Sequence, residues 1–147
     1  MSCKIRSLMT ALIATAGLFV VEPALAQNER SVVVAQNASQ LAGTYQGEVK
    51  RRIIGGEART TRVYRLTMNP DLNTGKVLIF EDGQLVNELG FVVKQTADLT
   101  YQGKTQPINA RPGYIPDDIS LKFSRDGKSV SWYHNDRTSE GSGTLTR

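Results

Sequence analysis

The chain has 147 residues, 39% of them hydrophobic, with 18 Lys and Arg against 14 Asp and Glu, one histidine and one cysteine. An excess of four positive charges, dispersed apart from one arginine-rich stretch, is too small a footprint for nucleic-acid binding. One cysteine excludes a disulfide framework, and one histidine leaves no His/Cys set for a metal site, so no cofactor or metal is implied.

The first segment, MSCKIRSLMTALIATAGLFVVEPALAQ, places Lys4 and Arg6 ahead of an apolar run from Leu8 to Val21 and a small-residue site at Ala24-Leu25-Ala26. That order predicts a signal peptide over 1–26 and a periplasmic or secreted protein after cleavage. The apolar run is shorter than the ~20 residues of a bilayer span, so no transmembrane anchor is expected. Cys3 falls in the part removed, leaving a mature chain without thiol or disulfide, held by packing alone. Without Lys4, Arg6 and Glu22 the balance is 16 cations to 13 anions. Residues 27–40 are polar except for Val32 to Ala35 and read as a leader.

From Leu41 onward the chain shows short runs rich in Val, Ile, Thr, Tyr and Phe, punctuated by Gly, Asn, Asp and Pro, with no helical stripe. Strands are expected at 43–53, 58–68, 75–81, 84–93, 97–103, 118–124, 128–134 and 138–146, with a further short one at 105–110. Short connections describe an all-β antiparallel up-and-down meander of about eight strands over 41–147. One apolar face suits closure into a barrel, which removes the edges; a two-sheet sandwich is the alternative.

Turn positions set the register. A turn at Gly55-Gly56 pairs Tyr45 with Leu66, Gly47 with Tyr64, Val49 with Arg62 and Arg51 with Thr60. A turn at Asp82-Gly83 pairs Phe80 with Leu85 and Leu78 with Asn87. A turn at Asp126-Gly127 pairs Phe123 with Val130, Leu121 with Trp132 and Ile119 with His134. A last turn centred on Asp136-Arg137 places Gly141 opposite Trp132 and Gly143 opposite Val130, leaving room for an indole ring.

The start Gly43-Thr44-Tyr45, the serial hairpins and the final GSGTLTR resemble the lipocalin and avidin-like group of small secreted barrels. The resemblance spans Leu41 to Arg147 as a pattern of organisation and implies a lipocalin-like closed barrel; the helix and disulfides of many members are absent here. The opening LAGTYQGEV also resembles the first strand of bacterial envelope-stress lipoproteins, whose cysteine motif this chain lacks. Neither likeness assigns a site residue.

Enzymatic motifs are missing. No phosphate loop precedes a helix, no nucleophile elbow occurs, and the adjacent Asp117 and Asp118 point to opposite faces of an extended strand. His134 lies on the inward phase near a strand end and reads as a packed or rim side chain. The stretch RRIIGGEARTTRVYR, residues 51 to 65, separates into two sets. Arg52, Arg59 and Arg65 point outward, whereas Arg51 and Arg62 share the inner face with Tyr45, Tyr64 and Val49. An unpaired buried guanidinium costs several kcal/mol, and Glu48, Glu81 and Glu88 all fall on the outer phase in this register. Two answers are open: an anionic or hydrophobic small ligand held by Arg51, Arg62, Tyr45, Tyr64 and Trp132, or a rim position from which the arginines reach water.

The Pro-rich stretch 103–118, GKTQPINARPGYIPDD, is the longest irregular connection and carries Arg111, Tyr114 and Ile115. It would serve as a cap over one barrel end or as a grip for an envelope protein, which makes an inhibitor or protein-binding module the alternative to a noncatalytic ligand-binding barrel.

Overall fold

The computed structural model describes residues 40–147; the expected signal segment and residues 27–39 of the leader lie outside the described residues. Eight strands follow in order: β1 (Gly43–Ile53), β2 (Arg59–Met68), β3 (Thr74–Glu81), β4 (Gln84–Ala97), β5 (Thr100–Asn109), β6 (Asp118–Phe123), β7 (Ser129–Asn135) and β8 (Ser139–Thr146). Each pairs antiparallel with the next, and β8 returns to β1, so one sheet closes on itself. The sandwich alternative therefore does not apply. Closure satisfies the backbone of β1 and β8, which an open meander would leave as exposed edges.

The registers of β1 with β2 and of β6 with β7 are those the turns dictate, from Tyr45 opposite Leu66 to Arg51 opposite Thr60, and from Phe123 opposite Val130 to Ile119 opposite His134. Two others differ. A bulge at Val86 lets Phe80 face Leu85 but sets Ile79, not Leu78, opposite Asn87. Val77 and Ile79 are buried while Leu85 is 49% exposed, so β3 turns the other face inward and carries Glu81 with it. At the last hairpin the pairing is two residues out: Trp132 faces Gly143, and Gly141 faces His134. The turn is wider because Asp136 accepts hydrogen bonds from the backbone of Thr138 and Ser139 and from both hydroxyls, which centres it on Arg137 and Thr138.

β5 is one strand, not the two pieces at 97–103 and 105–110; it runs through Pro107 to Asn109, and only Ala110 to Asp117 remain irregular. Pro107 is tolerated because β6 pairs only with Thr100 to Lys104, so the later half of β5 has β4 on one side alone.

Side chains fill the interior. Leu66, Met68, Val77, Leu89, Phe91, Val93, Leu121, Val130, Trp132 and Leu145 are all buried along the axis. The end opposite the β1–β2 turn is plugged: the single Tyr45 hydroxyl proton is shared between the carbonyls of Leu41 and Gly127, 2.9 and 3.0 Å away, and Arg147 stacks 4.8 Å from the Tyr45 ring centroid. Where β8 closes onto β1, a Cβ on Gly143 would collide with the Glu48 carbonyl oxygen and lie 3.0 Å from Val49 Cα. Neither obstacle is a flexible side chain. Gly143→Ala is therefore expected to cost about 2–3 kcal/mol by prising the seam apart; an unchanged thermal midpoint by circular dichroism would sink this reading of the seam.

Candidate functional site

The other end of the barrel is open. It is formed by the ends of β1, β3, β5 and β7, the starts of β2, β4, β6 and β8, and the segment 110–117 folded over them. A cavity of about 210 Å³ lies there, and Arg51, Arg62, Arg111, Tyr64, Tyr114 and Asp117 are among its lining residues. The inward arginines and the Pro-rich segment, two separate expectations from the sequence, thus meet at one pocket.

Arg62 donates from Nε and Nη2 to Glu81 Oε1 at 3.2 and 3.1 Å. Arg111 reaches the same carboxylate from Nη1 to Oε2 at 3.0 Å. The turned face of β3 is what brings Glu81 here, so the expectation that no acid compensates Arg62 is corrected. The hydrogen bonds from Arg62, ahead of its charge, hold the Glu81 carboxyl below its ordinary range. Arg51 is matched differently: its Nε and Nη2 donate at 3.0 and 2.8 Å to Ser139 Oγ, which donates in turn to Asp136 Oδ2 at 2.9 Å. Asp136 itself stands 4.0 Å from Arg51. One carboxylate therefore serves two guanidiniums, and a neutral hydroxyl takes the near donors of the third.

The 110–117 segment is latched from within. Asn87, brought inward by the bulge, accepts from the backbone N–H of Arg111 at 2.9 Å. The Tyr114 hydroxyl donates to Asp117 Oδ2 at 2.8 Å, and the Asp117 amide donates to Thr105 Oγ1 at 2.8 Å. Burial raises Tyr114, so the phenol stays protonated as a donor. Ile115 is 44% exposed and the Arg111 side chain 53% exposed, and both border the pocket.

Below the pocket, Trp132 Nε1 donates to His134 Nδ1 at 3.1 Å, with the Tyr64 hydroxyl 3.4 Å from the same nitrogen. Nδ1 is therefore the acceptor, and the proton of a neutral ring sits on Nε2. Nε2 is buried without a partner and faces Gly141, whose missing side chain makes room for the ring. Trp132 and Tyr64 stack edge to face with centroids 5.5 Å apart. The indole is thus a support beneath the pocket rather than part of its wall. Tyr45 is not at the site at all; it closes the far end. No group of three or more His, Cys, Asp or Glu residues among those described is placed to hold a metal ion.

Two buried titrating groups act in opposite directions. Burial pushes the Asp117 carboxyl up from 3.8 to about 6, against the lowering effect of the Tyr114 bond. Burial, with Arg51 adding to it, pulls His134 down from 6.5 to about 4. Asp117 binds its proton more tightly when folded, so its contribution is fully present below pH 3.8 and is lost as pH rises through about 6. His134 contributes stability that is present above pH 6.5 and is lost as pH falls toward about 4. The two slopes offset each other in the shared window. Asp117→Asn should expose the His134 slope, a loss of about 3 kcal/mol on acidification by urea titration; a flat profile in that variant would show that His134 is not held neutral.

The fold defines a class, the closed eight-stranded antiparallel barrel. A solved structure similar to this chain is a redesigned beta barrel, at 19% identity and a TM-score of 0.50, the match covering 77% of this chain and 96% of that one. No protein-family profile matches the sequence, and no curated protein matches it.

Proposed function

We propose that this protein is a noncatalytic exported barrel that binds a small anionic molecule in the mouth pocket. The observation that carries the reading is the surplus of donors: Arg62 and Arg111 share the single Glu81 carboxylate, while Arg51 directs two N–H groups at Ser139. A carboxylate, phosphate or sulfate entering among them would add acceptors to guanidiniums that share one carboxylate, one hydroxyl and Asp136 at 4.0 Å. The filled interior narrows the ligand class to a small head group; a hydrophobic tail has no room along the axis. Export to the periplasm or beyond is supported by the N-terminal pattern Lys4, Arg6, Leu8 to Val21 and Ala24-Leu25-Ala26. Kinship with lipocalin and avidin-like barrels is supported by Gly43-Thr44-Tyr45 and the meander order.

Isothermal titration against phosphate, sulfate and a set of short mono- and dicarboxylates is the test. Binding of at least one anion, weakened in Arg51→Ala and in Arg111→Ala, is the expected result. Uptake of none of them by a folded protein would count against the reading.

A second reading, a protein partner such as an envelope enzyme gripped by the 110–117 segment, is supported by exposed Ile115 beside Arg111. Tyr114 adds nothing to it, because its hydroxyl is spent on Asp117. Crosslinking in which Arg111→Ala and Ile115→Ala leave every captured partner unchanged would eliminate it.

A further inference from the structure

The outer wall beside the β1–β2 hairpin carries a second groove of about 270 Å³, lined by Lys50, Arg52, Arg59, Tyr133 and Glu140 among others. Strand register sets these side chains next to one another: Arg52 stands opposite Arg59 on β2 and Glu140 on β8, while Lys50 stands opposite Ser142, which faces Tyr133. Glu140 pairs with Arg52 and accepts from the Tyr133 hydroxyl at 3.3 Å. Among the described residues, Lys50 and Arg59 have no ion pair. Like charges directly across two strands weaken a hairpin; Glu140 answers Arg52, whereas nothing in the described barrel answers Arg59. At the tip just beyond them, Ile53 and Ile54 are 47% and 48% exposed. Backbone bonds from Ile54 N to Thr138 O at 2.8 Å and from Gly56 N to Ile53 O at 3.1 Å hold the tip in place, and Gly55 takes the positive φ of 79° that the turn requires.

We propose that this hairpin docks on an anionic phospholipid surface, with Ile53 and Ile54 entering the headgroup boundary and Lys50, Arg52 and Arg59 meeting lipid phosphates. Surplus cations alone would suit any polyanion. The adjoining isoleucine pair and the half-exposed Tyr133 distinguish a bilayer, because only a membrane offers an apolar layer directly beneath a layer of negative charge. Arg51 borders both the groove and the mouth pocket, but Lys50, Arg52, Arg59, Ile53 and Ile54 are not part of the pocket's lining, so variants at these positions test the surface alone.

Every described strand and the described core lie between Gln40 and Arg147, so the chain from Gln27 keeps all of them for the test. It should sediment with vesicles of phosphatidylcholine mixed with phosphatidylglycerol, not with phosphatidylcholine alone, and less so as salt is raised. Arg59→Glu removes one cation and adds an anion, and should weaken vesicle binding roughly 25-fold, about fivefold per charge. The same change places an acid opposite Arg52, so the melting temperature should hold or rise, which separates docking from folding. Ile54→Ser should weaken vesicle binding by roughly tenfold or more while leaving heparin binding unchanged. Equal binding to both vesicles, or to neither, would overturn the proposal. So would unchanged vesicle binding in Ile54→Ser, which would instead mark a charge-only surface for an acidic protein or nucleic acid.

Discussion

Truncating Trp132 to alanine is expected to destabilise the barrel by about 3–5 kcal/mol, the range for removing a buried aromatic without relaxation of its surroundings. The indole is 1% exposed and stacks edge to face with Tyr64. Its loss opens a cavity between the core and the mouth and also removes the donor that fixes His134 as an Nδ1 acceptor. Trp132→Phe divides the two contributions. It keeps most of the volume but loses the N–H with part of the ring system, leaving the Tyr64 hydroxyl at 3.4 Å as the remaining neighbour of His134 Nδ1, so a smaller cost of about 1–3 kcal/mol should remain. Because Trp132 is the one tryptophan in the chain, unfolding of both variants must be followed by far-ultraviolet circular dichroism rather than by fluorescence. A cost below about 1 kcal/mol for the alanine variant would mean that the site can collapse around the missing ring and that Trp132 does not support the pocket.

Replacing Arg62 by alanine is expected to weaken anion binding by about 2–4 kcal/mol, roughly 30- to 1,000-fold, while the barrel stays folded. The Arg62 side chain is only 14% exposed, so a charge-assisted bond made there is less screened than one at the surface. The same substitution leaves Glu81 with Arg111 as its remaining partner, and the carboxylate then becomes a competitor for the incoming anion. Glu81→Gln provides the reciprocal test: it frees both arginines and should tighten anion binding. Titration calorimetry on the two variants decides the matter, since equal affinities in both and in the unaltered protein would place the ligand elsewhere.

The pairing of β1 with β2 and of β6 with β7 is legible in the sequence because each turn lies between strands whose apolar residues alternate cleanly. Tyr45, Gly47 and Val49 on β1 admit one inward set, and Leu121 with Phe123 does the same on β6. β3 is not legible in this way. Val77, Leu78, Ile79 and Phe80 are all apolar, so hydrophobicity is satisfied by either face. The bulge at Val86 settles which face turns inward, and Glu81 follows. An orientation that four residues leave undetermined thus decides whether Arg62 has a counter-ion. The last hairpin departs from its expected register for a different reason. Asp136 builds a side-chain-bonded turn that residue spacing does not disclose, and it moves Gly143 rather than Gly141 opposite the indole.

Alternation also gives a face without giving a depth. Tyr45 and Arg51 share the inner phase of β1, which groups them by face, yet six residues at about 3.3 Å each separate them by about 20 Å along the strand. That separation alone, which follows from residue numbers and the rise of a strand, takes Tyr45 away from the site. Arg111 and Tyr114 offer no such signal toward Arg51 and Arg62, because they lie beyond β5, on the far side of the sheet in chain order.

Residue order alone specifies the all-β meander, most strand limits, and the division of the RRIIGGEARTTRVYR arginines into inward Arg51 and Arg62 and outward Arg52, Arg59 and Arg65. These follow from turn chemistry and a two-residue side-chain period, which act locally. Tertiary contacts set what lies beyond that: Glu81 answers Arg62, Ser139 meets Arg51 with Asp136 at 4.0 Å behind it, and the Pro-rich segment folds over both. Those relations depend on closure. Only when β8 joins β1 do the strand ends converge on one mouth, where residues from opposite halves of the chain share a pocket.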